Sequence, residues 1–402
     1  VTLAIPQDRA AAVADVFREE AGRITSLLIR RFGDFDLAEE STQEALLAGL
    51  QAWPASGIPH RPGAWLLTVA SRLALNRLKR EKRYREKLAQ LPIEPVSSEV
   101  DDRIRLILVC CHPALSREAQ VALTLRAVCG FTNPEIARAL LVSETAVAQR
   151  LVRAKRRIAG AGIPFRMPDA AELPDRLNEV LAVLYLMFNE AHLSTGEEPP
   201  FRRDLAEDAI WLTALLRRLI PDQPEILGLL ALMKLQLARG SSRFSATGSI
   251  VLLEDQDRRS WDRTLIAEGV LLIERAAALH RPGPYQLEAA IAACHAEAPT
   301  FEETDWRQIL VLYDMLAALD PTPVVRLNRA IVLARVETPS RALQELDGLA
   351  PDLEGYHLFH AARGELLADL GRTGEASDAR REAMRLAKSP AERALLDQRL
   401  AP

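Results

Sequence analysis

Two dense runs of cationic side chains are the chemically most suggestive feature of this 402-residue sequence. Arg72 to Lys87 holds eight Lys/Arg against Glu81 and Glu86, and Arg150 to Arg157 holds five with no acid. Side chains of this kind at this density make phosphate contacts, so a polyanion is the implied ligand. A solvated helix face explains either run taken alone. Two of them, each ending an amphipathic helical pattern, favour phosphate binding. An acidic segment, Asp36, Glu39, Glu40 and Glu44, precedes the first run. It suits the positive end of a helix dipole, and as a binding surface it requires a basic partner. Signals for catalysis are sparse: there is no HExxH, no Gly-rich phosphate loop and no nucleophile elbow. His357 and His360, at i and i+3, read as a helix-surface pair rather than metal ligands. Cys110, Cys111, Cys129 and Cys294 form no CxxC pair and read as buried thiols. The chain is therefore expected to be no enzyme, with no catalytic residue, no metal and no cofactor.

The elements that position these residues follow from composition and periodicity. A chain that is 49% hydrophobic, 26% charged and 5% aromatic is globular rather than disordered. Its net charge of −4 hides a division at Pro168: residues 1–168 carry 25 basic and 18 acidic side chains, and residues 169–402 carry 26 and 37. The net +7 of the first part fits a partner such as nucleic acid, and the net −11 of the second implies a different task. The longest apolar run, Val180 to Phe188, is far short of the ~20 residues of a membrane helix. The N-terminus lacks a signal-peptide layout, so the expected location is cytoplasmic and no membrane partner is expected. Breakers at Leu91 to Val100 and at Gly160 to Pro168 cut the chain into three blocks, 1–90, 100–165 and 169–402. Nearly everything between them has the spacing of helices, which predicts an all-α protein. Block one is expected to contain helices over Ala10 to Phe32, Leu37 to Trp53 and Ala64 to about Lys87, with a loop at Pro54 to Gly63. Leu66, Val69, Ala70 and Leu73 form the core-facing stripe of the third helix. Only Ser241 to Glu254 reads as a loop with a short strand.

Block two carries the most specific local pattern. Thr132 and Glu135 have capping-box spacing with Pro134 in the first turn, so a helix starts there and runs through Ile136, Ala137, Leu140 and Leu141. A turn at Leu141-Val142 leads to Ser143, which caps a second helix with the apolar stripe Val147, Leu151, Ala154 and Ile158. This is the pattern of a helix-turn-helix, whose second helix reads base edges in the major groove. A plain helical hairpin has similar spacing. Glu144, Thr145, Ala148 and Gln149, followed by Arg150, Arg153, Lys155, Arg156 and Arg157, lie on the outward side, Gln149 and Arg153 suited to base edges and the terminal basic cluster to phosphates.

Asp36-Leu37-Ala38-Glu39-Glu40-Ser41-Thr42-Gln43-Glu44-Ala45 resembles region 2.2 of bacterial extracytoplasmic-function (ECF) sigma factors. Pro62-Gly63-Ala64-Trp65-Leu66-Leu67-Thr68-Val69-Ala70-Ser71-Arg72-Leu73-Ala74-Leu75-Asn76-Arg77 resembles their regions 2.3 and 2.4, and the helix-turn-helix resembles region 4.2. The resemblance covers roughly the first 165 residues. It implies that Asp36, Glu39, Gln43 and Glu44 dock on the β′ clamp helices of core RNA polymerase, a partner that includes the β subunit. It further implies that Trp65, Asn76, Arg77 and Arg80 face the melted minus-10 promoter DNA, the loop before them capturing a flipped base. Thr145, Ala148, Gln149, Arg150, Arg153 and Arg157 would then read the minus-35 element. Ala148-Gln149 stands where the family commonly has a basic residue and Ser, which bears on the promoter sequence that is read.

Residues 169–402 are larger than the sigma part. Ala330, Leu333, Ala342, Leu346 and Leu349 recur 34 residues later as Gly364, Leu367, Ala376, Arg380 and Ala383, and 34 is the tetratricopeptide period. The block resembles the helical, tetratricopeptide-like extension of one group of ECF sigma factors, which implies a regulatory or docking role toward an unidentified regulator or ligand, with repeats near 325–390. The group Asp255, Gln256, Asp257 and Arg258 beside Trp261 reads as an inter-helix network or as a binding site. The expected function is thus an alternative sigma factor directing promoter-specific initiation. A helix-turn-helix regulator with a helical sensor domain, and a tetratricopeptide-type scaffold, are the other readings of the same residues.

Overall fold

The helical periodicity is realised as nineteen α-helices among the described residues of a computed structural model, with 76% of the chain helical and no strand among those residues. The described residues are 7–80, 102–140, 142–163, 165–169, 171–192, 200–245, 249–387 and 390–398. The expected linker Leu91 to Val100, and Leu141 of the expected turn, lie outside them. No helix among the described residues is long and apolar enough to cross a membrane. The chain divides into two compact units, Val1–Glu190 and Ala191–Pro402.

The first unit begins with α1 (Gln7–Phe32), α2 (Phe35–Ser56) and α3 (Pro62–Arg80). Gly33 separates α1 from α2 at φ 65°, and Asp34 then caps α2 by accepting a bond from the Leu37 amide at 3.0 Å. The helix ends three residues beyond Trp53 because Gly57, at φ 79°, closes the last turn with its amide on the Trp53 carbonyl. α3 starts at Pro62 and buries Leu66, Ala70, Ala74 and Leu78, while Val69 and Leu73 are only half-buried. α1 packs on both other helices, with Ile24 and Leu28 in the core.

The same unit continues through α4 (Asp102–Cys110), α5 (Arg117–Ala127), α6 (Asn133–Ala139), α7 (Glu144–Gly160) and α8 (Leu173–His192). α4 is buried along Leu106 to Cys110 and packs on α1 as well as α5, which joins the first two sequence blocks in one body. α8 joins this body too: Arg117 pairs with Glu179 at 2.8 Å, and Arg176 donates to the Leu108 carbonyl. Burial pushes the Cys110 thiol well up and the Cys111 thiol to about 12, so both stay protonated and serve as packing.

The second unit contains α9 (Pro200–Leu219), α10 (Pro224–Ala238), α11 (Arg263–Ala277), α12 (Pro284–Glu297), α13 (Trp306–Leu319), α14 (Pro323–Val336), α15 (Pro339–Asp347), α16 (Ala350–Leu353), α17 (His357–Asp369), α18 (Thr373–Leu386) and α19 (Pro390–Gln398). α10 is apolar all round and lies under α9, α11 and α12. Glu225, in its first turn, caps α12 by accepting from the amides of Tyr285 and Gln286 at 3.0 and 3.2 Å. The residues that recur with period 34 fall on two helix pairs, α14 with α15 and α17 with α18, except Leu349, which lies just before α16. Ala330, Leu333, Ala342 and Leu346 are buried in one pair, and Leu367, Ala376 and Ala383 in the other. Gly364 lets α17 approach α18, where an added Cβ would come within 2.9 Å of Arg380.

One expectation for this unit is corrected and one is decided. Among the described residues of Ser241 to Glu254 there is no strand, only the isolated bridge between Phe244 and Ile250, which has no neighbouring strand to extend it. The polar group beside Trp261 is a structural network. Arg258, 4% exposed, donates to the carbonyls of His295 (2.6 Å) and Ala298 (2.9 Å) and to the Thr304 hydroxyl (3.3 Å), which satisfies the C-terminus of α12. Gln256 receives Arg239 at 3.3 Å, and the Trp261 indole donates to Ser242 at 2.7 Å. His360 rests 2.7 Å from the Glu354 carbonyl, and no group of metal-binding side chains occurs among the described residues.

Candidate nucleic-acid interface

α6 and α7 are positioned by the local signals expected of them. Glu135 accepts bonds from the Thr132 amide and hydroxyl, both at 2.7 Å, and Ser143 accepts from the Ala146 amide at 3.2 Å. Val147, Leu151, Ala154 and Ile158 are buried, and the small Ala137 lies in the same contact. The Val142 amide donates to the Ala137 carbonyl at 3.0 Å and closes the turn. These contacts fix which side of α7 faces outward.

That outward side is a shallow groove of about 330 Å³ lined by Ala148, Gln149, Val152, Arg153 and Arg156. Thr145, Gln149, Arg153 and Arg157 are exposed, while Ala148 and Arg150 are half-buried. Arg150 lies close enough to Glu118 to help hold that carboxyl below the usual range, after its own backbone amide and the Ser116 hydroxyl. The sequence reading passed over Val152. It is 47% exposed, and an exposed β-branched residue off the buried stripe but among cationic neighbours was the available signal. An arginine fork beside an apolar methyl surface matches what the major groove presents, guanine acceptors beside thymine methyl groups.

The residues expected at single-stranded DNA are held differently from one another. Trp65 is half-buried with its ring against Trp53 at 5.5 Å, so it anchors the start of α3. Asn76 is exposed. Arg77 bridges Glu40 and Glu44 on α2. The side chain of Arg80, at the end of α3, lies outside the described residues. Beside the start of α3 is a cavity of about 420 Å³ lined by residues that include Glu20, Arg23, Arg61, Gly63 and Leu67. Its walls are apolar with two arginines, of which Arg23 is paired with Glu20 at 3.3 Å, so Arg61 is the cation without that acid against it.

On α2, Asp36, Glu39 and Gln43 face the helix-turn-helix part of the same unit. Lys155, expected on the outward side of α7 with the phosphate-facing cluster, instead turns toward α2, where it pairs with Asp36 at 2.7 Å and with Glu39 at 2.6 Å. Arg126 pairs with the other Glu39 oxygen, and Gln43 donates to the Gly130 carbonyl at 3.0 Å. Gly130 ends α5 at φ 81°, a conformation that aims this carbonyl at Gln43.

Sigma-70 region 2 matches residues 16–84, and Sigma-70, region 4 matches residues 105–158. An uncharacterized protein of Rhizobium meliloti is 44% identical over 390 residues, covering 93% of this chain and 91% of that protein. The chain belongs to the sigma-70 family, in its ECF branch. A probable ECF RNA polymerase sigma factor, SigI, of Mycobacterium tuberculosis is 27% identical over 158 residues, 36% of this chain and 54% of SigI. The ECF RNA polymerase sigma factor SigK of a Mycobacterium species is 28% identical over 154 residues, 35% and 77% of the two chains. Residues 176–277 match a family of unknown function, DUF6596. Region 2 is therefore α1 to α3, and region 4 includes α4 to α7.

Proposed function

We propose that this ECF sigma factor binds core RNA polymerase through the acidic side of α2 and directs promoter-specific initiation through α3 and α7. The observation that carries the reading is α7 itself. One side is locked by a buried stripe, and the other exposes Gln149, Val152, Arg153 and Arg156 as a groove-reading surface. The division of labour is physical. The upstream element stays duplex and is read by a helix in the major groove, while the downstream element must be melted. The cavity beside α3 would hold a base of the displaced strand, offsetting part of the cost of strand separation. Asp36, Glu39, Gln43 and Glu44 would meet the β′ clamp helices, and the second unit would modulate activity. In this reading the chain works in the cytoplasm and does no covalent chemistry. The test is reconstituted initiation with core polymerase on a promoter library. Stimulated transcripts from a defined subset are expected, and no stimulation on any template would overturn the proposal.

A further inference from the structure

The acidic side of α2 already has a basic partner, and that partner belongs to the same chain. Glu39 is 3% exposed. One of its oxygens faces Arg126 from α5 and the other faces Lys155 from α7. Lys155 also reaches Asp36 at 2.7 Å and lies 6.0 Å from the Phe35 ring centre. Gln43 spends its amide on the Gly130 carbonyl. A carboxylate this deeply buried is tolerated only with cations against it. A second cationic surface cannot reach Glu39 or Gln43 while region 4 stays where it is.

We infer that the first unit is a self-masked form, in which Lys155 and Arg126 stand in for the basic surface of core polymerase and must be displaced before polymerase binds. The inference rests on the reading of Asp36, Glu39 and Gln43 as polymerase-facing. Its geometry is selective. Lys155, 15% exposed, points to α2, whereas Gln149, Val152, Arg153 and Arg156 remain on the open groove of the same helix. Closure therefore covers Glu39 and occupies Gln43 at the centre of the polymerase face, with Asp36 engaged but exposed at its edge, and leaves the duplex-reading face free. Core polymerase would find a competent surface only in the open fraction of molecules, and its apparent affinity is reduced by that fraction. An opening event thereby becomes a point of control within the sigma part itself.

Carbodiimide coupling of the full-length chain, read by peptide mass spectrometry, tests this without any substitution. An amide between Lys155 and Asp36 is expected in the free chain and is expected to disappear when core polymerase is bound. An amide that forms equally in the complex would overturn the inference. The second arm is core affinity. Lys155→Ala should bind core about fivefold more tightly than the wild type, through a larger open fraction, and unchanged or weaker binding would count against masking. Glu44→Ala, at a polymerase-facing position whose ion pair is with Arg77 of α3 and not with region 4, should bind core more weakly if the polymerase-facing reading is right. Loss there with no gain in Lys155→Ala refutes masking alone. Full binding by Glu44→Ala refutes the reading and the masking together.

Discussion

Arg77 on α3 bridges Glu40 and Glu44 on α2, so a cation expected at promoter DNA is neutralised by acids beside the expected polymerase face. All three side chains are at least one-third exposed, and ion pairs of this kind contribute about 1 kcal/mol or less. DNA phosphate can therefore recruit Arg77 without unfolding region 2. Arg77→Ala should lower the thermal midpoint only slightly, while weakening binding of a single-stranded minus-10 oligonucleotide severalfold in complex with core. A large loss of stability with unchanged oligonucleotide binding would make Arg77 a structural residue only.

Gly22 on α1 sets how closely region 2 approaches region 4. A Cβ there would come 2.9 Å from the Val128 carbonyl oxygen and 3.3 Å from its Cα, and backbone yields little. Gly22→Ala should strain this contact by about 1–3 kcal/mol, the usual cost of overpacking. The expected readout is faster amide exchange in α4 and in the segment following α5, with α6 and α7 keeping their helical content. Unchanged exchange at Val128 would show that the contact relaxes freely.

For duplex recognition the decisive comparison is Arg153→Ala against Val152→Ala. Loss of a base-reading arginine should relax discrimination at one position by about 1–3 kcal/mol. Loss of the valine methyls should reduce preference for thymine at a neighbouring position by less. Both are measurable by competition among single-base variants of an upstream element. A uniform loss across all sequences for Arg153→Ala would assign that residue to phosphate instead.

Much of this was legible because it is local. Ser143, Thr132 with Glu135, and the stripe Val147, Leu151, Ala154 and Ile158 act over one to four helical turns, so spacing alone places them. Lys155 and Glu39 are 116 residues apart in the sequence, and Gln43 and Gly130 are 87 apart; no periodicity links them. The acids of α2 announced a basic partner, and the sequence carried no sign that region 4 would provide one. Trp65 shows the same dependence on distant partners. Its type suits base stacking, but its face depends on where Trp53 lies. The network around Arg258 likewise needed the folded position of the α12 C-terminus to be separated from a binding site.

His295 makes the second unit sensitive to acid. Its ring lies against Trp306, with centroids 5.2 Å apart, and its Nδ1 is buried without a hydrogen-bond partner. Burial first, then the positive charges of Arg239 and Arg258, push its pKa down to about 4. Above the unfolded value of 6.5 the ring is neutral in both states and contributes no pH dependence. As pH falls below 6.5 the unfolded chain takes up a proton that the folded chain refuses, so stability falls until the folded value is reached. Between pH 7 and pH 5 the loss attributable to this residue is about 2 kcal/mol. Amide exchange protection in α12 should drop over that interval in the wild type. It should be flatter in His295→Gln, whose side chain stays neutral throughout; an equally steep decline in that variant would place the acid sensitivity elsewhere.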